Sequence, residues 1–227
     1  RGGGPGTRET DLLEPINMIQ KVHAVVLSGG SAFGLESTCG VSRYLEENNI
    51  GFDVGVAKVP IVVGAVLFDL AVGNPKSRPN IEMGYKACQL ASDTELKQGN
   101  FGAGCGATVG KIKGIEYSMK GGIGSYSIKL PNGLVVSALV AVNAFGDVYE
   151  NGKVIAGTLD NEKKNILNSY ELMKNGVNKG GFSIDNTTIG IVATNAKLDK
   201  AGCKKVSQMA HNGYAKVIFL CRKQPFP

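Results

Sequence analysis

Short apolar runs separated by glycine-rich polar stretches make up most of this 227-residue chain. Runs rich in β-branched residues and bounded by Gly, Asn or Asp predict buried strands. We expect such strands at His23–Leu27, Gly51–Val56, Val59–Leu70 and in the run after Asn186. Apolar residues at helical spacing instead predict helices, which we place at Asp11–Val22, Ser31–Glu47, Arg78–Ser92, Asn161–Lys174 and Asp199–Ala215.

The dipeptide Asn132-Gly133 is a strong two-residue turn signal. It predicts a hairpin between Gly114–Leu130 and Leu134–Ala144, in which the mostly apolar run Leu134–Val142 is a central strand. Strands and helices do not alternate strictly along the chain, so a doubly wound parallel sheet is not required. Two sheets flanked by helices fit the pattern equally well.

The composition is typical of one globular domain over residues 1–227, with 43% hydrophobic and 19% charged residues. The net charge of +6 would suit an acidic partner, but the lysines are scattered and form no stripe with aromatic residues. We therefore expect no nucleic-acid partner. No apolar run reaches the roughly 18 residues that a membrane-spanning helix needs, so we also expect no membrane span.

Cysteine and histidine are too few and too widely spaced to predict a metal site. The chain has five cysteines, no C-x-x-C pattern and two histidines. We expect reduced thiols in a cytoplasmic protein, and neither a metal nor an organic cofactor.

The stretch Ser183–Asn195 contains the first candidate for chemistry. Thr187 lies at the start of its apolar run. From the residues alone, a turn that opens a core strand is the favoured interpretation. The alternative is a nucleophile: if the chain were cut after Asn186, the free α-amine of Thr187 would serve as its base, with a pKa of about 7.7–8.0.

The run resembles the nucleophile region of the DmpA-like L-aminopeptidase/D-esterase family, in which Ala193-Thr194-Asn195 would be the turn after the strand. This family includes nylon-oligomer hydrolases and is related in fold to ornithine acetyltransferases. The resemblance extends from Arg1 to about Ala215. It rests on the segments Arg1–Asp11, Leu27–Leu35, Gly51–Val62, Gly99–Lys111, Met119–Ser125 and Val140–Val148.

The resemblance implies an α+β fold, an α-β-β-α four-layer sandwich with the nucleophile between two sheets. It also implies self-cleavage between Asn186 and Thr187 into pieces 1–186 and 187–227. The expected activity is aminopeptidase-like hydrolysis of amide or ester bonds in small peptides by a homo-oligomer. Acyl transfer of the ornithine acetyltransferase type is one alternative, and a non-catalytic small-molecule-binding domain is another.

Two further site residues follow from the resemblance. Asn143 is a turn residue on sequence grounds, and the resemblance implies that its amide donates to the oxyanion of the attacked carbonyl. The family's functional lysine is expected at Lys120, among glycines, with Lys111 as the alternative.

Two other motifs invite catalytic interpretations that the residues do not favour. Ser31 lies in a G-G-S-A-F-G segment, where Phe33 replaces the second glycine of a nucleophile elbow, so we expect a helix cap. The glycines of Gly99–Lys111 do not fit a phosphate loop, because Cys105 and Ile112 stand at two of its required positions.

The residues after the final predicted helix depart from the family pattern. There the family places an acidic group that orients the terminal amine, whereas this chain has no Asp or Glu after Asp199. The family's opening strands before Arg1 are also missing. We therefore expect a fragment that is processed slowly or not at all and hydrolyses amides far more weakly than a version with family-like ends.

Overall fold

The computed structural model describes residues 4–94, 96–177 and 186–219, and these mix helices with strands as predicted. The helices are α1 (Ser37–Glu47), α2 (Ile81–Gln89), α3 (Ser169–Lys174) and α4 (Lys200–Val217). The longer strands are β2 (Ala24–Ser28), β5 (Val62–Val66), β8 (Gly122–Lys129), β9 (Val135–Asn143), β11 (Lys153–Ala156) and β12 (Thr187–Thr194). The short strands are β1 (Thr7–Arg8), β3 (Phe52–Asp53), β4 (Lys58–Val59), β6 (Thr108–Val109), β7 (Met119–Lys120) and β10 (Val148–Glu150).

Two three-stranded sheets form the centre of the described structure. In the order β1-β5-β2, the central strand pairs antiparallel with β1 and parallel with β2. In the order β12-β9-β8, all pairs are antiparallel. The second sheet confirms the predicted hairpin, with β9 as its central strand.

The facing sides of the sheets share one hydrophobic cluster. Leu27 of β2 and Leu67 contact the same cluster as Ala141 of β9 and Ile189 of β12. On the other side of the first sheet, α1 packs against β2 and β5. Helix α4 packs against β12 of the second sheet.

Helices α1 and α2 cross at glycines. A Cβ atom at Gly40 would overlap the carbonyl oxygen of Ile81, and one at Gly84 would overlap that of Ser37. The two backbones therefore touch, which helps to explain why so many glycines lie inside regular elements of this chain.

Two predicted helices are largely wrong. Only the 3₁₀ turn Asp11–Leu13 forms in the first, because Glu14 precedes Pro15 and is extended, with ψ 135°. In the second, the Asp160 carboxylate accepts hydrogen bonds from the Lys164 backbone and from the side chain of Asn165. These local bonds compete with a helix, which begins only at Ser169.

Candidate active site

Thr187 is the first residue of β12 and lies directly opposite Asn143, the last residue of β9. Side chains of directly opposed residues in an antiparallel pair lie on the same face, with Cβ atoms about 4.5–5.5 Å apart. The next pair on that face is Ile189 with Ala141, which belongs to the cluster between the sheets. Thr187 and Asn143, which come from separate sequence motifs, are thus neighbours in the sheet.

Two polar residues, Thr194 at the end of β12 and Asn195 directly after it, bind the region of the hairpin turn. Thr194 Oγ1 donates to the Val135 carbonyl at 2.7 Å. Asn195 Oδ1 accepts from the Val135 N–H at 2.8 Å, and its Nδ2 donates to the Gly133 carbonyl at 3.0 Å. These bonds hold the register that brings Thr187 opposite Asn143.

The side chain of Asn143 is completely buried, and its orientation is fixed by its partners. Its Oδ1 accepts from the Thr108 N–H and from Lys111 Nζ, each at 2.9 Å. Both partners can only donate, so the oxygen must face them. Nδ2 is then the donor end, and it donates to the Phe68 carbonyl at 2.6 Å.

The two candidate lysines lie in different environments. Lys111 is 3% exposed, and its Nζ contacts both Oδ1 and the main-chain oxygen of Asn143, the latter at 3.2 Å. Lys120 is exposed, and its Nζ donates to the Cys105 carbonyl at 2.6 Å. The structure therefore brings Lys111, and not Lys120, into contact with Asn143.

Two buried oxygen atoms flank Thr187 along the chain. Within the described residues, Asn186 Oδ1 and Thr188 Oγ1 have no hydrogen-bond partner. Buried polar atoms without partners are uncommon and cost free energy. The residues on either side of Thr187 therefore each carry an unsatisfied side-chain oxygen.

A second buried polar network surrounds Asp147, four residues after Asn143. Its carboxylate accepts from the Ser169 N–H at 2.5 Å, the Ser169 hydroxyl at 2.6 Å and the Thr158 N–H at 3.1 Å. Burial raises the pKa of the Asp147 carboxyl above its ordinary 3.8, against the lowering effect of these hydrogen bonds. The network joins the turn before β10 to the start of α3.

The prediction that Ser31 caps a helix is wrong. It is the first residue of a 3₁₀ helix whose N-cap is Gly30, and no side-chain cap hydrogen bond forms. Its φ of 53° is unusual for a residue with a side chain. The Ser31 N–H donates to the Leu67 carbonyl at 3.0 Å, which holds this loop beside the end of β5.

Asp69 and Thr108 belong to no motif in the sequence that predicts a functional site. Thr108 contributes to the site through its backbone N–H, which no side-chain pattern predicts. For Asp69, the available signal was an acidic residue directly after the mostly apolar run Val62–Phe68. None of the described helices is both long and apolar enough to cross a membrane. The described residues also contain no group of three or more candidate metal ligands.

Comparison with known proteins identifies the family. The model of the family described as "Peptidase family S58" matches residues 1–224. The chain belongs to peptidase family S58. This confirms the resemblance drawn from the motifs.

Several S58-like relatives carry names that describe an activity. An uncharacterized aminopeptidase of Mycobacterium leprae is 42% identical over 233 residues, which cover 96% of this chain and 61% of that protein. An uncharacterized aminopeptidase of Mycobacterium tuberculosis H37Rv is 40% identical, with 96% and 63% covered. A 6-aminohexanoate-oligomer endohydrolase of Kocuria is 26% identical, with 90% and 56% covered. The chain thus spans about three fifths of the length of these relatives.

Two solved structures show the same fold at low sequence identity. A Pyrococcus horikoshii protein superposes with a TM-score of 0.62 at 20% identity, covering 95% of this chain and 54% of that one. A Burkholderia β-aminopeptidase gives a TM-score of 0.55 at 20% identity, covering 81% and 46%.

Proposed function

We propose that this S58 chain is the catalytic part of a self-processing hydrolase that removes residues from the amino end of small peptides. Thr187 is the nucleophile. The aminopeptidase and oligomer-hydrolase names of the relatives support the reaction class. The observation that carries the proposal is the pairing of Thr187 with buried Asn143 at the end of two neighbouring strands.

Self-processing begins when the Thr187 hydroxyl attacks the Asn186 carbonyl. The C–N bond breaks, the acyl group moves to oxygen, and the α-amine of Thr187 is released. Water then hydrolyses the ester, which leaves pieces 1–186 and 187–227. The unsatisfied oxygens of Asn186 and Thr188 support this position, because water that enters after cleavage would hydrate them.

The same groups serve hydrolysis of the substrate. The free α-amine accepts the hydroxyl proton as Thr187 attacks the substrate carbonyl, and an acyl-enzyme forms and is hydrolysed. Asn143 Nδ2–H donates to the developing oxyanion. No metal or organic cofactor takes part.

Lys111 is the better candidate for the functional lysine. Its ammonium group bonds both oxygens of Asn143, and it therefore fixes the amide that meets the oxyanion. A buried positive charge also stabilises negative charge nearby more strongly than an exposed one. Lys120, which was expected from the sequence, lies on the surface, and its Nζ donates to the Cys105 carbonyl.

The proposed setting is the four-layer sandwich, in which α1 and α2 cover one sheet and α4 covers the other. The packing of α1 on β2 and β5, the cluster between the sheets and the packing of α4 on β12 support this order of layers. A homo-oligomer remains part of the proposal on the strength of the family resemblance alone.

Mass spectrometry of the purified protein, extended at both ends to the length of its relatives, tests the proposal. We expect two pieces that meet between Asn186 and Thr187, and a single chain for Thr187→Ala, since no hydroxyl can begin the acyl shift. Thr188→Val is the matched control: it removes the neighbouring hydroxyl, which points to the other face, and should still be cleaved. An intact wild-type chain would favour the binding-domain alternative, and cleavage of Thr187→Ala at the same bond would exclude Thr187.

A further inference from the structure

The carboxylate of Asp69 lies beside the Asn143 network. Asp69 directly follows Phe68, whose carbonyl accepts the bond from Asn143 Nδ2. Its Oδ1 accepts from the Gly30 N–H at 2.7 Å. The residue is partly exposed and forms no ion pair within the described residues. Its charge is therefore not balanced by a cationic side chain in the part of the chain that the structure describes.

Two glycines make room for this carboxylate. A Cβ atom at Gly29 or at Gly106 would overlap Asp69. Gly106 is two residues before Thr108, whose N–H is bonded to Asn143 Oδ1. Asp69 consequently lies between the loop after β2, which contains Gly29, and the loop before β6, which contains Gly106.

We propose that Asp69 binds the free amino group of the substrate. The inference rests on the proposed aminopeptidase function and assigns its specificity to one residue. The amine nitrogen of an aminoacyl group is two bonds from the carbonyl carbon that Thr187 attacks. A group that recognises this amine must therefore lie next to the nucleophile and the oxyanion donor. A carboxylate is suited to an ammonium group, because charge-assisted hydrogen bonds are the stronger class.

Lys111 and Asp69 would then act on opposite ends of the bound aminoacyl group. Lys111 holds Asn143 on the side of the carbonyl oxygen. Asp69 holds the amine. A peptide with a blocked amino end would cover the Asp69 charge without supplying an ammonium partner, and leaving a charge unpaired is unfavourable.

The variant Asp69→Asn tests the charge without removing the side chain. Its Oδ1 can still accept from the Gly30 N–H, so the loop is retained. Two substrates that differ only by the amine are alanine p-nitroanilide and propionic acid p-nitroanilide. We expect kcat/KM for the alanine substrate to fall about 10- to 100-fold, the loss of one charged hydrogen bond. For the propionyl substrate, kcat/KM should change by less than about twofold.

Asp53→Asn is the matched control. Asp53 also accepts a hydrogen bond from a glycine N–H, that of Gly55 at 2.8 Å, and it is exposed.

Equal losses on both substrates would overturn the inference, since Asp69 would then act on Thr187 or on the loop. Unchanged kinetics for both would also overturn it. Binding of alaninamide to the Thr187→Ala protein, measured by calorimetry, gives a readout that does not need catalysis. We expect Asp69→Asn to weaken alaninamide binding about 10-fold or more, with Asp53→Asn at the wild-type value. If hydrolysis is absent but this difference holds, the proposed function fails and the amine site remains; equal binding rejects the amine site.

Discussion

Two buried polar networks lie four residues apart, one around Asn143 and one around Asp147, and they differ in what their hydrogen bonds connect. The side chains of both residues are almost fully buried, at 0% and 1% exposure. Asp147 joins a turn to the start of α3 through Thr158 and Ser169. Asn143 holds a buried lysine and faces a residue that begins a strand.

The difference shows why burial of a polar group does not by itself identify a catalytic residue. Asp147 even has a raised pKa, which is often taken to mark function. However, its carboxylate is occupied by backbone and hydroxyl donors that tie two elements together. Asn143 lies opposite Thr187, a candidate nucleophile. This neighbour distinguishes the Asn143 network from the Asp147 network. Removing each network should therefore affect different measurements.

The largest expected effect is on turnover when the Asn143 amide is removed. Asn143→Ala should lower kcat of processed enzyme about 10²–10³-fold, the usual loss for one oxyanion donor. Turnover is measured per active site, titrated with an acylating reagent, so that misfolded protein is not counted. Turnover close to that of the wild type would show that Asn143, like Asp147, has only a structural role.

An intermediate effect is expected at the lysine. Lys111→Met removes the charge that fixes Asn143 and should lower kcat/KM about 10- to 100-fold, as for a buried charged hydrogen bond. Lys120→Met is the matched control on the surface and should stay within about twofold. Steady-state kinetics of both variants decide between the lysines, and the reverse order of losses would favour Lys120.

The smallest effect on activity is expected at Asp147, where stability changes instead. Asp147→Asn should destabilise the fold by about 1–3 kcal/mol, because the amide accepts through one atom only and leaves a buried donor without its acceptor. The kcat of the folded fraction should remain within about twofold of wild type. A large loss of turnover in fully folded Asp147→Asn protein would show that the Asp147 network also contributes to catalysis.

The pH dependence of this destabilisation has a defined sign. Because burial raises the folded-state pKa of Asp147 above its ordinary 3.8, its titration stabilises the wild type at low pH and ceases to do so as pH rises through the folded pKa. The stability gap between wild type and Asp147→Asn should therefore widen as pH falls towards about 3.8. Urea unfolding at several pH values measures the gap, and a gap that narrows on acidification contradicts the assignment.

The central hairpin was the best predicted part of the fold, whereas the predicted buried strand Gly51–Val56 is reduced to the exposed pair Phe52–Asp53. The run Leu134–Val142 and the turn at Asn132-Gly133 specify a buried hairpin with local information alone, and both are confirmed. The failed helices contain competing local structure. Pro15 ends the first, and the side chain of Asp160 replaces the beginning of the other.

The pairing within the site was less accessible to sequence reasoning. Thr187 and Asn143 were selected from separate motifs, and only strand register brings them together. The choice of lysine depended on burial, which the glycines around Lys111 and Lys120 did not distinguish. Asp69 was missed because its position depends on glycines in two distant loops. Residues 178–185, which precede Asn186, lie outside the described structure.

The bonds between Asn195 and the hairpin turn also limit how the chain can change in length. Strand β12 has eight residues from Thr187 to Thr194, and its far end is fixed to Val135 and Gly133. Deleting one residue within it would turn Thr187 to the opposite face of the sheet. Deleting two would restore the face but displace the side chain by about 7 Å along the strand. The number of residues in β12 is therefore constrained by the position that Thr187 must occupy opposite Asn143.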